Sequence, residues 1–261
     1  MPHAAPSHST SCTGPCSEER PTRARAPRVG WGMAKPLRPR PGAQRGRQAP
    51  GGPSLPRAVV DEVRRTTKPT AADNALARLE RATELLERGD APGAATEAAK
   101  AKSMAPRSVA VREVLGLALY GGERWQEALT EMKAYRRLSG RADQNHIIAD
   151  CLRALGRPSE AVPLAEEALH AKIPNEVKAE AVIVASSALA DQRRFPEALA
   201  FLRRAQTRED VAEGYTLRLW YVTGDILQRA GRRADAEREF RKVFRHDPGA
   251  FDVAERLAQL A

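Results

Sequence analysis

Residues 220–248 read WYVTGDILQRAGRRADAEREFRKVFRHDP, and this stretch decides the fold. Two runs of helix-forming residues flank Gly231, which predicts a short break between two antiparallel helices. Gly224 in the first run and Ala236 in the second are small, so the two helices can approach each other closely. Larger side chains such as Phe240 fill the remaining space. The stretch therefore predicts a tightly packed helix–turn–helix unit.

The same arrangement recurs towards the N-terminus. An alanine follows a tight turn five times, at intervals of 34, 33, 37 and 38 residues, namely Ala94, Ala128, Ala161, Ala198 and Ala236. Ala, Leu, Glu and Arg are abundant and favour helix, whereas strand-forming runs are nearly absent. The sequence therefore predicts an all-α fold. A generic helical bundle is the alternative, but a bundle does not require small residues at a regular period.

This pattern resembles the tetratricopeptide repeat, a helix–turn–helix of about 34 residues. The repeat-packing residues that carry the resemblance are Ala94, Pro106, Gly116, Ala128, Ala161, Ala198, Trp220, Gly224, Ala236, Phe240 and Pro248. The resemblance implies a right-handed α-solenoid of about five helix pairs, in which each pair covers the apolar face of its neighbour. The pairs are expected at residues 75–108, 109–141, 142–175, 179–212 and 217–250, with a capping helix at 251–261. The layout is also similar to actinobacterial tetratricopeptide proteins that carry an Arg/Pro-rich leader.

The first 57 residues differ in composition from the rest of the chain. They hold 11 of the 19 prolines, and their ten Arg or Lys residues and two Glu residues give +8 of the net charge of +10. Proline interrupts helices, and few apolar side chains are available to offset the entropy of ordering. We therefore expect a disordered basic leader at 1–57, a short helix and linker at 58–72, and the repeat domain at 73–261. Met33 is a candidate start residue, which the intact mass of the native protein would settle.

No motif in the sequence predicts catalysis. Phosphate-binding loops, dinucleotide fingerprints and nucleophile elbows do not occur, so we expect no enzyme, no cofactor and no small-molecule substrate. Cys12 and Cys16, with His3 and His8 nearby, are a conceivable zinc set, but their spacing fits no compact zinc module. Cys151 is expected in the core. The absence of long apolar runs and the free thiols favour a cytoplasmic protein that does not enter membranes.

The resemblance implies a binding site as well, because tetratricopeptide arrays bind partners in a concave groove lined by the first helix of each pair. When the repeats are aligned on the packing residues given above, the expected partner-binding residues are Glu113, Leu117, Tyr120, His146, Asp150, Arg153, Glu180, Ile183, Ser187, Arg218, Tyr221 and Asp225. Leu76 and Leu79 are expected at the groove positions of the first pair. Across the five first helices seven carboxylates face three arginines, so we expect a moderately acidic groove.

Two functions follow from these features. The leading hypothesis is a scaffold that binds a basic or mixed-charge protein segment, extended or helical, in the groove. The alternative is a protein that binds RNA or ribosome-like surfaces through the basic leader and through outer arginine pairs such as Arg136-Arg137 and Arg203-Arg204. The opposite charges of leader and groove also suggest that the leader occupies the groove of its own chain.

Overall fold

Five antiparallel helix pairs and two single helices form the part of the chain that the computed structural model describes, residues 55–205 and 214–260. The first helices of the pairs are α2 (Pro69–Glu87), α4 (Val109–Gly121), α6 (Asn145–Ala154), α8 (Asn175–Asp191) and α10 (Gly214–Arg229). The second helices are α3 (Ala91–Met104), α5 (Trp125–Ser139), α7 (Ala161–His170), α9 (Phe195–Leu202) and α11 (Arg233–His246). Helix α1 (Arg57–Thr66) precedes the pairs and α12 (Val253–Leu260) follows them.

Consecutive helices pack on each other along the array. First helices also pack on the first helices of neighbouring pairs, as α6 and α10 do on α8, and α12 packs on α11. The prediction of an all-α solenoid with about five helix pairs and a C-terminal capping helix is confirmed. Within the described ranges no residue forms a strand, and no helix is long and apolar enough to cross a bilayer. The predicted leader falls almost entirely on residues 1–54, which lie outside these ranges.

The two helices of a pair meet at a small residue on the first helix and a residue sixteen positions later on the second. In the last pair Gly224 faces Phe240, and in the second pair Gly116 faces Met132. The corresponding residues of the other pairs are buried as well, namely Ala82 with Ala98, Ala149 with Ala165, and Ser186 with Leu202. The contact is possible because the small residue leaves room for the partner side chain. This repeated contact sets the distance between the helices of a pair.

The five recurring alanines occupy equivalent places near the start of the second helix, and all five have no exposed surface. Pro106 and Pro248 each lie two residues beyond the end of a second helix, after α3 and α11. A proline there prevents the helix from continuing. Trp220 is buried and its ring stacks on His246 at a centroid distance of 5.4 Å.

The turn inside each pair is the same five times. The amide three residues after the end of the first helix donates to a leucine carbonyl five residues back, and the donor–acceptor pairs are Asp90–Leu85, Arg124–Leu119, Arg157–Leu152, Arg194–Leu189 and Arg232–Leu227. This is the Schellman geometry, which places the preceding residue in the left-handed region. Three of the five preceding residues are glycines, but Glu123 and Arg193 adopt φ values of 57° and 60°. The backbone geometry of the turn is kept even where a side chain makes it costly.

The predicted linker is shorter than expected. Helix α1 covers nearly the predicted residues, but α2 begins at Pro69, so residues 69–72 are its first turn and not part of a linker. Proline suits the first position of a helix, because its fixed φ is helical and its missing amide hydrogen is not needed there. Ala72 in this turn is buried.

Replacing Gly224 by alanine should destabilise the chain more than replacing Gly116 by alanine. A Cβ at Gly224 would lie 2.7 Å from Phe240 Cε1, and one at Gly116 would lie 2.7 Å from Met132 Cε. The flexible methionine can move its end, whereas the phenyl ring cannot bend. We expect Gly224→Ala to cost about 1–3 kcal/mol, and Gly116→Ala to cost under about 1 kcal/mol because the gain in helix propensity offsets the crowding. Urea unfolding measures both, and equal losses would contradict the packing scheme.

Replacing Arg193 by glycine should stabilise the chain. Relief of the left-handed strain is expected to raise the free energy of unfolding by about 0.5–1 kcal/mol. The matched control is Gly156→Ala, at the equivalent position with φ of 76° and no neighbouring atom within 4 Å of the added Cβ. In this control the free energy of unfolding should fall by about 1 kcal/mol, because alanine is strained in the left-handed conformation and the added Cβ has no steric contact. Thermal unfolding checks the two changes, and a loss of stability in Arg193→Gly would show that the turn does not have this geometry.

Candidate functional site

The groove face is the side of the first helices that the repeat pattern predicts to line a binding groove. In the first pair this face is covered, because α1 packs on α2 and α4. Val60 and Val63 of α1 share one buried cluster with Leu76 and Leu79 of α2, the residues that the sequence assigns to the groove. A short amphipathic helix thus lies with its apolar side on the groove face, as helical ligands do in apolar grooves.

Glu62 fixes α1 on this surface through the start of α4. Its carboxylate accepts hydrogen bonds from Ser108 Oγ at 2.7 Å and from the Val109 amide at 2.9 Å. The free amides at a helix N-terminus carry partial positive charge, so a carboxylate is favourable there. Arg64 adds an exposed ion pair to Asp73 of α2 at 3.2 Å. An apolar contact and a polar anchor together hold α1 in place.

The groove face of α4 remains partly open. Leu117 and Tyr120 are half-buried, and so is Glu113 one turn before Leu117. Glu113 accepts a hydrogen bond from Gln144 Nε2 at 2.7 Å, and burial raises the pKa of its carboxyl group. No ion pair to Glu113 occurs among the residues that the structure describes. This part of the surface therefore presents an aliphatic side chain beside a carboxylate that forms no ion pair with the described residues.

A series of hydrogen bonds and ion pairs, which we call the charge ladder, runs from Tyr120 of α4 to Arg256 of α12. Beyond Tyr120 it alternates between carboxylates and arginines. The Tyr120 hydroxyl donates to Asp150 of α6 at 2.6 Å. Arg153, also on α6, donates to Asp150 at 2.8 Å and to Asp191 of α8 at 3.2 Å. One arginine thus joins carboxylates of two successive pairs.

The charge ladder continues through α10 to the capping helix. Arg229 donates to Asp191 at 2.9 Å, and its guanidinium lies 3.7 Å from the carboxylate of Asp225. Arg256 of α12 then approaches Asp225 at 3.2 Å and Asp252 at 3.1 Å. Each cation is shared between carboxylates, so the ladder links four first helices to the cap.

The ladder changes the expected electrostatics of the groove. The sequence count of seven carboxylates against three arginines left out Arg256, because α12 was assigned only to capping. The i,i+4 spacing from Asp252 to Arg256 is visible in the sequence, but the contact with Asp225 depends on the fold. Most carboxylates of α8 and α10 therefore form ion pairs, whereas Glu113, which forms none with the described residues, lies towards the N-terminal end.

Several predicted groove residues are buried in this conformation. Glu180, Ser187, Tyr221 and Asp225 are each 5% exposed, and Ile183 is 2% exposed. Glu180 forms an ion pair with Arg218 of α10 at 2.7 Å, and burial raises the pKa of Glu180 to about 7. Ser187 donates to the Ile183 carbonyl at 2.9 Å. Apart from the partly exposed Arg218 of α10, the accessible residues of the predicted site therefore lie on α4 and α6.

His146 lies on α6, and its Nδ1 atom is buried. Burial disfavours the imidazolium form and the Arg218 cation adds to the effect, which lowers the pKa of His146 from 6.5 to about 4. The side chain is therefore neutral at pH 7. It contributes no positive charge to the groove face.

The other candidates for chemistry are inert or lie outside the described residues. Cys151 is a free, buried thiol, and burial raises its pKa to about 12, so it is not a reactive thiolate at neutral pH. In residues 55–205 and 214–260 no group of three His, Cys, Asp or Glu side chains is arranged to hold a metal ion. The zinc set considered from the sequence, Cys12, Cys16, His3 and His8, lies outside this part of the chain.

Comparison with known proteins supports the assignment of the repeat. Residues 148–211 match the family model described as tetratricopeptide repeat. The solved structure of TTC0263, a thermophilic TPR protein of Thermus thermophilus, is similar with 17% identity and a TM-score of 0.56, over 71% of this chain and 98% of that one. The structure of YrrB, described as a TPR protein with an unusual peptide-binding site, shares 18% identity with a TM-score of 0.49, over 69% of this chain and 90% of that one. Among curated protein sequences none matches. The resemblance to the tetratricopeptide repeat is thus confirmed at the level of the fold.

The partly buried His146 predicts a loss of stability in mild acid. Its pKa in the folded chain lies below the unfolded value, so the unfolded chain binds more protons and the stability falls as the pH drops from 6.5 towards 4. The slope attributable to His146 is at most about 1.4 kcal/mol per pH unit. Urea unfolding of the chain and of His146→Gln at several pH values isolates this contribution, because Glu180 titrates in both. A pKa near 6.5 in an NMR titration of His146 would contradict its burial.

Proposed function

We propose that this tetratricopeptide-repeat chain is a scaffold that binds a basic or mixed-charge segment of another protein on its groove face and catalyses no reaction. The observation that carries the proposal is the position of α1. The groove face of the first pair accepts an amphipathic helix of the chain itself, through Val60 and Val63 on Leu76 and Leu79. The groove face continues on α4 and α6, the first helices of the next two pairs, where its side chains are partly exposed. We place this activity in the cytoplasm.

The open surface fits a segment that combines an aliphatic and a basic side chain. Leu117 offers apolar area, and Glu113 offers a half-buried carboxylate beside it. A Lys or Arg side chain can lay its aliphatic stem on Leu117 and direct its charged end to Glu113. A charge-assisted hydrogen bond in a partly desolvated position is stronger than an exposed ion pair. Asp150 and Arg153 already satisfy each other, so they shape the surface without adding net charge.

The alternative of RNA binding ranks second. Two of the outer arginines that were expected to meet phosphate are paired within the array, Arg136 with Glu167 and Arg204 with Glu166. RNA would have to displace these carboxylates. Filter binding at 50 and 200 mM salt tests this function, because contact with six or more phosphates weakens binding by roughly a thousandfold over that range.

A photo-crosslinker at Leu117 should capture the partner of the groove face. We expect p-benzoylphenylalanine at this position, in the full chain expressed in its own host, to form a cross-link to a defined protein segment. The matched control carries the crosslinker at Lys133, an exposed residue on the second helix of the same pair. The captured segment, made as a peptide, should bind the purified chain, and Leu117→Arg should weaken that binding at least about tenfold, as loss of a central apolar contact does.

Lys133→Glu serves as the control in the binding measurement and should leave the affinity unchanged. Equal cross-linking from both positions, or an affinity that does not depend on Leu117, would show that the groove face is not the binding site. If the chain retains RNA on the filter at 50 mM salt but not at 200 mM salt, the RNA-binding alternative would be favoured.

A further inference from the structure

The polypeptide enters the array at the closed end of the groove face. Leu55 is only 9% exposed and belongs to the same buried cluster as Val63 and Leu79. The preceding residues are therefore tethered to a fixed point beside α2 and α4. The open groove face of α4 begins at Glu113, on a helix that contacts this cluster through Val111.

The sequence just before this point is complementary to the groove face in charge. Residues 35–47 read KPLRPRPGAQRGR, with five cations, no carboxylate and one large aliphatic side chain, Leu37. The nearby groove face carries Glu113 with no ion pair among the described residues, and the exposed Glu87 one pair earlier. A basic segment with an aliphatic residue is also the kind of ligand that Glu113 and Leu117 fit.

The tether makes even a weak contact effective. Residues 48–54 separate this segment from Leu55, and a chain of eight residues reaches at most about 26–29 Å when fully extended. Helices that pack side by side are about 8–10 Å apart, so the segment can reach both α4 and α6. The effective concentration of a segment on so short a linker is on the order of 1 mM. A contact with a dissociation constant of about 0.1 mM would then occupy the site roughly nine-tenths of the time.

We propose that residues 35–47 bind the groove face of α4 and α6 in the same chain and compete there with the partner. Their cations neutralise Glu113, and their aliphatic side chain contacts Leu117. This inference rests on the proposed function, since it assigns a built-in competitor to the same site. With about nine-tenths of the sites occupied by this segment, the remaining one-tenth are free, so the apparent affinity for a partner is about tenfold lower.

Cross-linking within the purified full chain tests the contact directly. With p-benzoylphenylalanine at Leu117, irradiation of dilute protein should join this position to a peptide from residues 35–47, as mass spectrometry identifies it. The crosslinker at Lys133 should give no such product. A mixture of isotope-labelled and unlabelled chains should give only products of matched label, because the contact is intramolecular. Products of mixed label, or none with residues 35–47, would overturn the proposal.

A competition experiment provides the second readout. A labelled synthetic peptide of residues 35–47 should bind the full chain about tenfold more tightly after Lys35→Gln, Arg38→Gln and Arg40→Gln are combined, because the tethered competitor is weakened. When Glu113→Gln is added to this triple variant, the peptide should lose the gained affinity, because the amide keeps the shape of the side chain but cannot pair with the peptide's cations. Unchanged peptide affinity in the triple variant would overturn the proposal.

The two proposals can fail separately. A partner segment that depends on Leu117 but binds the parent chain and the triple variant equally well would remove the internal competitor and leave the scaffold function intact. Intramolecular cross-links without any binding partner would support the internal contact and remove the scaffold function.

Discussion

The close approach of two helices at a small residue is the contact on which the rest of the structure depends. Gly224 against Phe240 and Gly116 against Met132 show it most clearly, because a Cβ added at either glycine would lie 2.7 Å from the partner side chain. This contact sets the spacing inside a pair, and the spacing decides which side chains reach the next pair. The ladder from Tyr120 to Arg256 requires first helices at a regular distance, so it is a consequence of this packing.

Much of the fold could be predicted because it repeats. Five alanines at intervals of 33 to 38 residues indicate helix pairs even where individual repeats are weak, since the same steric demand recurs at each of them. The start of α2 at Pro69 was missed because proline and threonine also suit a linker. Arg193 and Glu123 show a limit of another kind. A left-handed residue is expected to be glycine, and the sequence gives no signal where the fold imposes this conformation on a larger residue.

The site was less accessible to sequence reasoning than the fold. The repeat pattern assigns residues to the groove face, but it does not say which of them stay exposed. Ile183 and Glu180 of α8 have groove positions and are nevertheless buried. Leu117 and Glu113 have groove positions on α4 and are only half-buried. The difference arises from contacts between helices distant in sequence, such as Arg218 with Glu180 and α1 with α2. Charge counting failed for the same reason, because Arg256 reaches Asp225 only through the fold.

The anchor of α1 has a consequence for how the chain acquires its structure during synthesis. Glu62 is bonded to Ser108 and Val109, which follow it by 46 and 47 residues. A ribosome makes α1 before any of these partners exist, and domains fold as their parts emerge. Helix α1 can pack its valines on α2 early, but Glu62 has neither of these donors until the start of α4 has left the exit tunnel. The first segment of the array to be translated therefore reaches its final place only after the whole first helix pair has been made.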